Sequence, residues 1–151
     1  MVVVVGMGRS GLAVSRLLRA HGMEVFVSDA NPEPPMRSEF DRLDFPFETG
    51  SHSNVRFAGA EEIVVSPGVP LDIDALNEAR MGGVAIVSEL EVASRYLLGD
   101  IVAVTGSNGK TTTTSLVAAM LEAGTRPVQV GGNIGIAVSD LVSTSTEETI
   151  N

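Results

Sequence analysis

Apolar and polar positions in the first thirty residues predict a strand, a helix and a second strand. The chain opens with Val2–Val5, four β-branched residues without alternation, which is typical of a strand buried on both faces of a parallel sheet. Apolar residues then recur at three- and four-residue spacing before Gly22, which predicts an amphipathic helix that we expect Ser10 to cap. Residues 23–28 are mostly apolar again, so residues 1–29 form one predicted βαβ unit.

The same alternation of strands and helices continues along the chain. A proline-rich loop separates the first unit from a weakly patterned stretch of mixed short elements, and a capping box of Ser88 and Glu91 begins a later helix. The predicted elements are a loop at 31–35, mixed elements at 38–62, strands at 63–65 and 84–87, and helices at 72–81 and 88–98.

The pattern restarts near residue 100. It predicts strands at 101–105 and 128–130, a helix through 116–121 that Gly124 ends, a turn at 131–135 and a short helix at 136–142. The predicted fold class is therefore α/β, with a Rossmann-like parallel-sheet domain at residues 1–98 followed by the beginning of a second α/β domain at 99–151.

Composition and charge narrow the range of functions. The 151 residues are 44% apolar and carry a net charge of −9, which disfavours binding to nucleic acid or to an anionic membrane. No cysteine is present, and the opening apolar run is too short for a signal or a membrane span, so a cytoplasmic protein is expected. Nine of the ten basic residues are arginine, and the one lysine is Lys110.

The loop at residues 6–11, GMGRSG, fits G-x-G-x-x-G between a predicted strand and helix. Gly6 would make the tight turn, Gly8 would let a pyrophosphate approach the backbone, and Gly11 would let helix and strand pack closely. Asp29 follows 18 positions after the last glycine, where it would bind a ribose or a base edge. The sequence therefore predicts a nucleotide or dinucleotide site, and the alternative is a turn required only for packing.

A second glycine loop, GSNGKT at residues 106–111, also lies between a predicted strand and helix. Lys110 is suited to reach phosphates and Thr111 to hold Mg²⁺, although valine at position 104 breaks the full P-loop spacing. The unique lysine favours phosphate binding over an ordinary exposed residue at a helix start. The second domain is thus predicted to be a P-loop α/β domain.

Other candidate residues carry weaker signals. His52 is interpreted as a loop residue rather than a catalytic base, and Glu89 and Glu91 as first-turn acids of a helix. The turn Ser66-Pro67-Gly68 is equally consistent with ligand contact and with a plain turn. For Asn133, ligand contact is favoured slightly over a turn role.

Five stretches together resemble the Mur ligases, most closely the branch that adds D-glutamate: GMGRSG, VVSPGVP, SELEVASRY, VAVTGSNGKTTTT and GGNIG. The resemblance implies that the first domain binds the UDP moiety of a UDP-sugar and no nicotinamide. It places Gly8, Arg9 and Ser10 near the diphosphate, Asp29 near uracil, Gly68 beside the nucleotide and Asn133 on the UDP-sugar. It also implies that ATP phosphates are wrapped by Gly106, Ser107, Asn108, Gly109, Lys110, Thr111 and Thr112, with Thr111 on Mg²⁺.

The reaction implied by the resemblance belongs to peptidoglycan precursor synthesis. ATP would phosphorylate UDP-N-acetylmuramoyl-L-alanine to an acyl phosphate, which D-glutamate would then attack, with Lys110 as the catalytic residue. Mur ligases continue well beyond the residues matched here, so we expect this chain to be a fragment that is inactive alone. The alternatives are an NAD(P)-binding oxidoreductase domain, which leaves Lys110 unexplained, and a non-catalytic nucleotide-binding module.

Overall fold

A computed structural model describes residues 1–133 and 135–151, and a five-stranded parallel sheet forms its centre. The central strand β1 is the valine run, and each of its four side chains is at most 1% exposed, as the unalternating pattern predicts. The strands are β1 (Val2–Val5), β2 (Val25–Asp29), β3 (Phe47–Thr49), β4 (Glu62–Val65) and β5 (Ala85–Ser88), in the order β3-β2-β1-β4-β5.

Helices alternate with these strands, as the sequence predicts. They are α1 (Arg9–Ala20), α2 (Arg37–Arg42), α3 (Asn54–Ala58), α4 (Asp74–Met81), α5 (Glu89–Ser94), α6 (Lys110–Glu122) and α7 (Val138–Leu141), with a 3-10 helix at Val142–Thr144. The segment at 38–62, for which mixed short elements are predicted, contains most of α2 together with β3 and α3. Within the residues that the structure describes, no helix is both long and apolar enough to cross a bilayer.

Alternate valines of β1 face two separate apolar cores. Val2 and Val4 pack in a cluster with residues of α1 and with Phe40, whereas Val3 and Val5 pack with Phe57 and residues of α4. Successive side chains of a strand point to opposite faces, so a strand covered on both faces needs apolar residues at every position. The sheet is therefore doubly wound, which confirms the Rossmann-like α/β prediction for the first domain.

The helix predicted at 88–98 ends earlier, at Ser94. Its predicted cap is present, because Ser88 Oγ accepts a hydrogen bond from the Glu91 N–H at 3.1 Å. Beyond the helix, the Leu98 N–H donates to Ser145 Oγ at 3.1 Å, and Gly99 adopts a φ of 85°. The chain leaves the helix because these residues bind a segment that lies nearly 50 positions further along the sequence.

The prediction of strands at 101–105 and 128–130 is wrong. Residues 100 and 128 make only isolated bridges, both to Ile150. The final residues lie between the two segments, with the Asn151 N–H donating to Asp100 O at 2.8 Å and the Gln129 N–H to Ile150 O at 2.9 Å. The Val102 N–H also donates to Asn151 O at 2.7 Å, but among the described residues no further backbone bond of this kind involves 103–105, and a strand requires a continuous ladder of partners.

Helices α6 and α7 differ in how they pack. None of the side chains of α6 is buried, whereas α7 contributes buried Val138 and Leu141. Val138 packs with Leu17 of α1 and Ala93 of α5 in a third apolar cluster. The segment that carries α7 thus packs on the first domain although it lies beyond residue 98, and the domain boundary at 98/99 stays a prediction.

Candidate functional site

Two of the three glycines at the junction of β1 and α1 lie where other parts of the chain are very close. Gly6 has a φ of 105°, and its N–H donates to Ser28 O at 2.8 Å. A Cβ added at Gly11 would lie 1.9 Å from Gly6 O, whereas one added at Gly8 would meet no atom within 4 Å. Gly11 is therefore required for packing of the helix on the strand, and the space beside Gly8 is open.

Ser10 does not cap α1, so this prediction is wrong. The helix begins at Arg9, and Gly8 is its N-cap without a side-chain hydrogen bond. Gly8 has an extended backbone, with φ −94° and ψ −169°, so the chain is already helical when it reaches Ser10. The side chain of Ser10 is half-buried and lies on the wall of the cleft described below.

Asp29, at the end of β2, holds the glycine loop in place. Its Oδ2 accepts a hydrogen bond from the Met7 N–H at 2.6 Å, and its Oδ1 accepts one from the Asn31 N–H at 2.8 Å. A carboxylate oxygen can accept more than one hydrogen bond, so the side chain retains capacity for a ligand. Contact between Asp29 and a ribose or base edge stays a prediction.

A polar network beside Asp29 was not predicted from the sequence. The buried Ser28 hydroxyl donates to Glu48 Oε1 at 2.8 Å, and His52 Nδ1 lies 2.7 Å from Ser28 Oγ. Because the hydroxyl has a single proton, Nδ1 of His52 is the donor in the second bond. His52 is a loop residue, as interpreted from the sequence, and the structure supplies a positioned partner that the sequence did not reveal.

The Ser66-Pro67-Gly68 segment is a turn that also faces the cleft. It directly follows β4, and the Val69 N–H closes it by donating to Ser66 O at 3.3 Å. Gly68 has a φ of 89° with no atom within 4 Å of an added Cβ, which leaves its backbone open on that side. The turn role and a ligand role are therefore compatible at this position.

The second glycine loop closes around its lysine. Gly109 is the N-cap of α6 with a φ of 75°, and Lys110 Nζ donates to Gly106 O and, at 3.4 Å, to Ser107 O. The first bond of the helix joins the Thr113 N–H to Gly109 O at 2.9 Å. The N–H groups of residues 110–112 precede that bond and are thus available to an anion, as in a phosphate-binding loop.

The donors at this loop also suit a magnesium–nucleotide complex. Thr111 contributes a hydroxyl directly after the lysine, and Mg²⁺ takes most of its remaining ligands from phosphate oxygens and water. Across residues 1–133 and 135–151, no three His, Asp or Glu side chains are grouped closely enough to hold a metal on their own. The residues present therefore fit a metal ion that arrives with its nucleotide.

One cleft of about 1030 Å³ brings residues of both loops together. Its wall includes the β5 end of the sheet and the extended segment at 101–105. Charged side chains on this wall are Arg80, Glu89 and Lys110. The predicted site residues that line it are Ser10, Gly68, Lys110, Thr111 and Asn133. Those away from its wall are Gly8, Arg9, Asp29, Gly106, Ser107, Asn108, Gly109 and Thr112.

Glu89 is a buried acid whose partner was not predicted. It occupies the first turn of α5, as the sequence indicates, but it is only 4% exposed and bonds to Ser139 of α7. The C-terminal end of α5 is also joined to β4, because Arg95, the residue directly after the helix, donates from Nη1 and Nη2 to Glu62 at 2.9 Å. This hydrogen-bonded carboxylate raises the pKa of Arg95 above its ordinary value.

Comparison with known proteins identifies both parts of the chain. Residues 1–88 match the family model of the Mur ligase MurD-like N-terminal domain, and residues 104–151 match that of the Mur ligase middle domain. The chain is 46% identical over 150 residues to the UDP-N-acetylmuramoylalanine--D-glutamate ligase of Acidobacterium capsulatum, covering 97% of this chain and 32% of that protein. The corresponding ligase of Koribacter versatilis is 41% identical over 151 residues, covering 98% and 33%.

Solved structures of related ligases share the fold. UDP-N-acetylmuramate-alanine ligase MurC from Thermotoga maritima matches with a TM-score of 0.55 and 28% identity, covering 80% of this chain and 29% of its own. A murein peptide ligase from Psychrobacter arcticus matches with a TM-score of 0.57 and 26% identity, covering 80% and 26%. The chain spans about a third of the length of its curated relatives, 32% to 33% for the two ligases above. Since more than half of its residues match the N-terminal family model, the chain belongs to the MurD-like Mur ligases.

Proposed function

We propose that this chain provides the UDP-substrate domain and the phosphate loop of an ATP-dependent ligase. The ligase adds D-glutamate to UDP-N-acetylmuramoyl-L-alanine during peptidoglycan precursor synthesis, in the cytoplasm. The main support is the cleft that Ser10 and Gly68 from the first domain line together with Lys110 from the second glycine loop. Such a cleft suits a reaction in which one substrate must meet the phosphates of another.

The first domain binds UDP in this proposal. The helix α1 begins beside the open space at Gly8, so its N-terminal N–H groups face an approach route for a diphosphate, flanked by Arg9 and Ser10. Asp29 lies at the end of the neighbouring strand, on the side where nucleotide-binding sheets hold the ribose or base. Gly68 then borders the nucleotide, and Asn133, which lines the same cleft, contacts the sugar.

ATP binds at residues 106–112 in this proposal. Lys110 exchanges its two carbonyl partners, Gly106 O and Ser107 O, for phosphate oxygens when the nucleotide is present. The exchange replaces neutral carbonyl acceptors with anionic phosphate oxygens, so that both partners of the hydrogen bond are charged. Thr111 helps to hold Mg²⁺, which neutralises phosphate charge when bound.

The reaction itself has two steps. An oxygen of the alanyl carboxylate attacks the γ-phosphorus of ATP, which releases ADP and forms an acyl phosphate. The amino group of D-glutamate then attacks the acyl carbon, an amide bond forms, and inorganic phosphate and a proton leave. Lys110 stabilises the negative charge that develops on the transferred phosphoryl group during the first step.

Thermal unfolding of the 151-residue chain with each ligand tests the proposal. We expect UDP-N-acetylmuramoyl-L-alanine to stabilise the wild type and Lys110→Ala alike, and ATP with Mg²⁺ to stabilise only the wild type. At a ligand concentration of a hundred times Kd, the gain is about 2.7 kcal/mol. Arg42→Ala, an exposed cation away from the cleft, is the control and should respond as the wild type does.

Two outcomes would contradict the proposal. Stabilisation by NAD in the absence of any response to the UDP-sugar would favour an oxidoreductase domain. A loss of UDP-sugar binding in Lys110→Ala equal to its loss of ATP binding would mean that the two glycine loops do not hold separate ligands.

A further inference from the structure

A buried carboxyl group joins two parts of the chain that are 50 positions apart. Glu89 Oε1 accepts one hydrogen bond from the Ser139 N–H at 2.7 Å and another from the Ser139 hydroxyl at 2.6 Å. The two residues are 4% and 5% exposed. A carboxyl group in such a place is costly unless hydrogen bonds satisfy it, so the side chain favours one docked position of α7 over others.

The docked position matters because α7 cannot form by itself. It has four residues, far fewer than an isolated helix needs in water. Its place is set by Val138, which packs with Leu17 and Ala93, and by the two bonds from Ser139 to Glu89. Packing resists removal of the helix from the surface, while the directional hydrogen bonds fix its rotation and register.

Contacts with α7 fix the position of the glycine loop that precedes it. The Gly132 N–H donates to Ile136 O at 2.9 Å, which closes the loop directly before the helix. A Cβ added at Gly131 would lie 2.7 Å from Leu141 Cδ1, so the start of the loop also packs against α7. Asn133 lies within this loop and on the wall of the cleft.

We propose that Glu89 is a positioning residue, which through Ser139 and α7 fixes Asn133 on the wall of the cleft for contact with the sugar of the UDP-sugar. The inference rests on the proposed function, because it takes the cleft to hold that substrate. Glu89 controls affinity for the sugar part, whereas the UDP part binds at the glycine loop of β1 and α1. Affinity for UDP alone is therefore independent of Glu89.

Calorimetric titration of the 151-residue chain with UDP and with UDP-N-acetylmuramoyl-L-alanine tests this inference. We expect Glu89→Ala to weaken binding of the UDP-sugar by about 10-fold or more, since two buried donors lose their acceptor, and to change UDP binding by less than about twofold. Glu89→Gln keeps an acceptor oxygen and should restore most of the affinity. Glu91→Ala, on an exposed acid of the same helix, is the matched control and should change neither.

Ser139→Ala separates positioning from direct contact, because Ser139 does not line the cleft and the variant removes one of the two bonds to Glu89. We expect it to weaken UDP-sugar binding by about threefold or more, again without a change for UDP. Unchanged UDP-sugar affinity in Ser139→Ala, or an equal loss for both ligands in Glu89→Ala, overturns the inference. Absence of binding by the wild type would instead contradict the proposed function. If Glu89→Ala unfolds, the two single variants Glu89→Gln and Ser139→Ala still test the inference.

Discussion

Two glycines of the first loop are expected to respond differently to the same substitution. In Gly11→Ala the new Cβ would lie 1.9 Å from Gly6 O, more than an ångström inside any ordinary carbon–oxygen contact. Because the obstacle is backbone, the helix must move away from β1. In Gly8→Ala the new Cβ meets no atom within 4 Å, and a φ of −94° is allowed for alanine.

The magnitude for Gly11→Ala follows from two opposed effects. Overpacking costs typically about 1–3 kcal/mol, and so severe an overlap belongs at the upper end. Alanine in a helix recovers about 1 kcal/mol relative to glycine. The net loss is about 2 kcal/mol, which lowers the folding equilibrium constant by about 30-fold and the Tm by about 4–8 °C. For Gly8→Ala we expect a change within about 0.5 kcal/mol, because the weaker N-cap is offset by a less flexible unfolded chain.

Urea unfolding at 25 °C and titration with UDP measure the two effects separately. We expect Gly11→Ala to lose stability, and Gly8→Ala to keep it but to bind UDP at least about 10-fold more weakly, because the methyl group occupies the space that a diphosphate would approach. Equal destabilisation of the two variants would refute the packing argument. Unchanged UDP affinity in Gly8→Ala would refute the assignment of the open space to a diphosphate.

Two further pairs of variants test the core and the join between the two parts of the chain. Val4→Ala, at a fully buried position, should lower the free energy of unfolding measured in urea by about 2 kcal/mol. Val55→Ala, at a position that is 84% exposed, should change it by no more than about 0.5 kcal/mol. Similar losses in the two variants would contradict the assigned core. Gly99→Ala brings a Cβ to 2.1 Å from Thr149 O, which is the acceptor of the Asp100 N–H, so hydrogen exchange of that N–H should accelerate. Gly83 has the same φ of 85° but open space around it, so Gly83→Ala should leave that exchange rate unchanged.

The first domain was predictable because its signals are local. The valine run at β1 requires burial on both faces, and helical spacing of apolar residues predicts α1 without knowledge of any distant partner. The glycine loops were predictable for the same reason, since positive φ values at Gly6 and Gly109 are properties of a short backbone segment. One local detail was still missed: α1 begins at Arg9 rather than after Ser10. The backbone geometry at Gly8 sets this start, and side-chain preferences do not reveal it.

Predictions failed where an element depends on a distant partner. Residues 101–105 have the composition of a strand, but a strand exists only where neighbouring backbone supplies a ladder of hydrogen bonds. The helix from Glu89 is shorter than its pattern suggests because Leu98 bonds to Ser145 instead of continuing the helix. In the first case the described residues supply too few remote partners, and in the second a remote hydrogen bond outweighs the local preference of the sequence.

The sequence by itself determined the doubly wound first domain, the two glycine loops and the one lysine that is suited to phosphate. These follow from side-chain periodicity and backbone freedom, which act over a few residues. Only the tertiary structure decided that Ser28 links Glu48 to His52, and that Glu89 receives both bonds of Ser139. Such contacts join residues 20 to 50 positions apart, and their partners are set by how whole elements pack against one another.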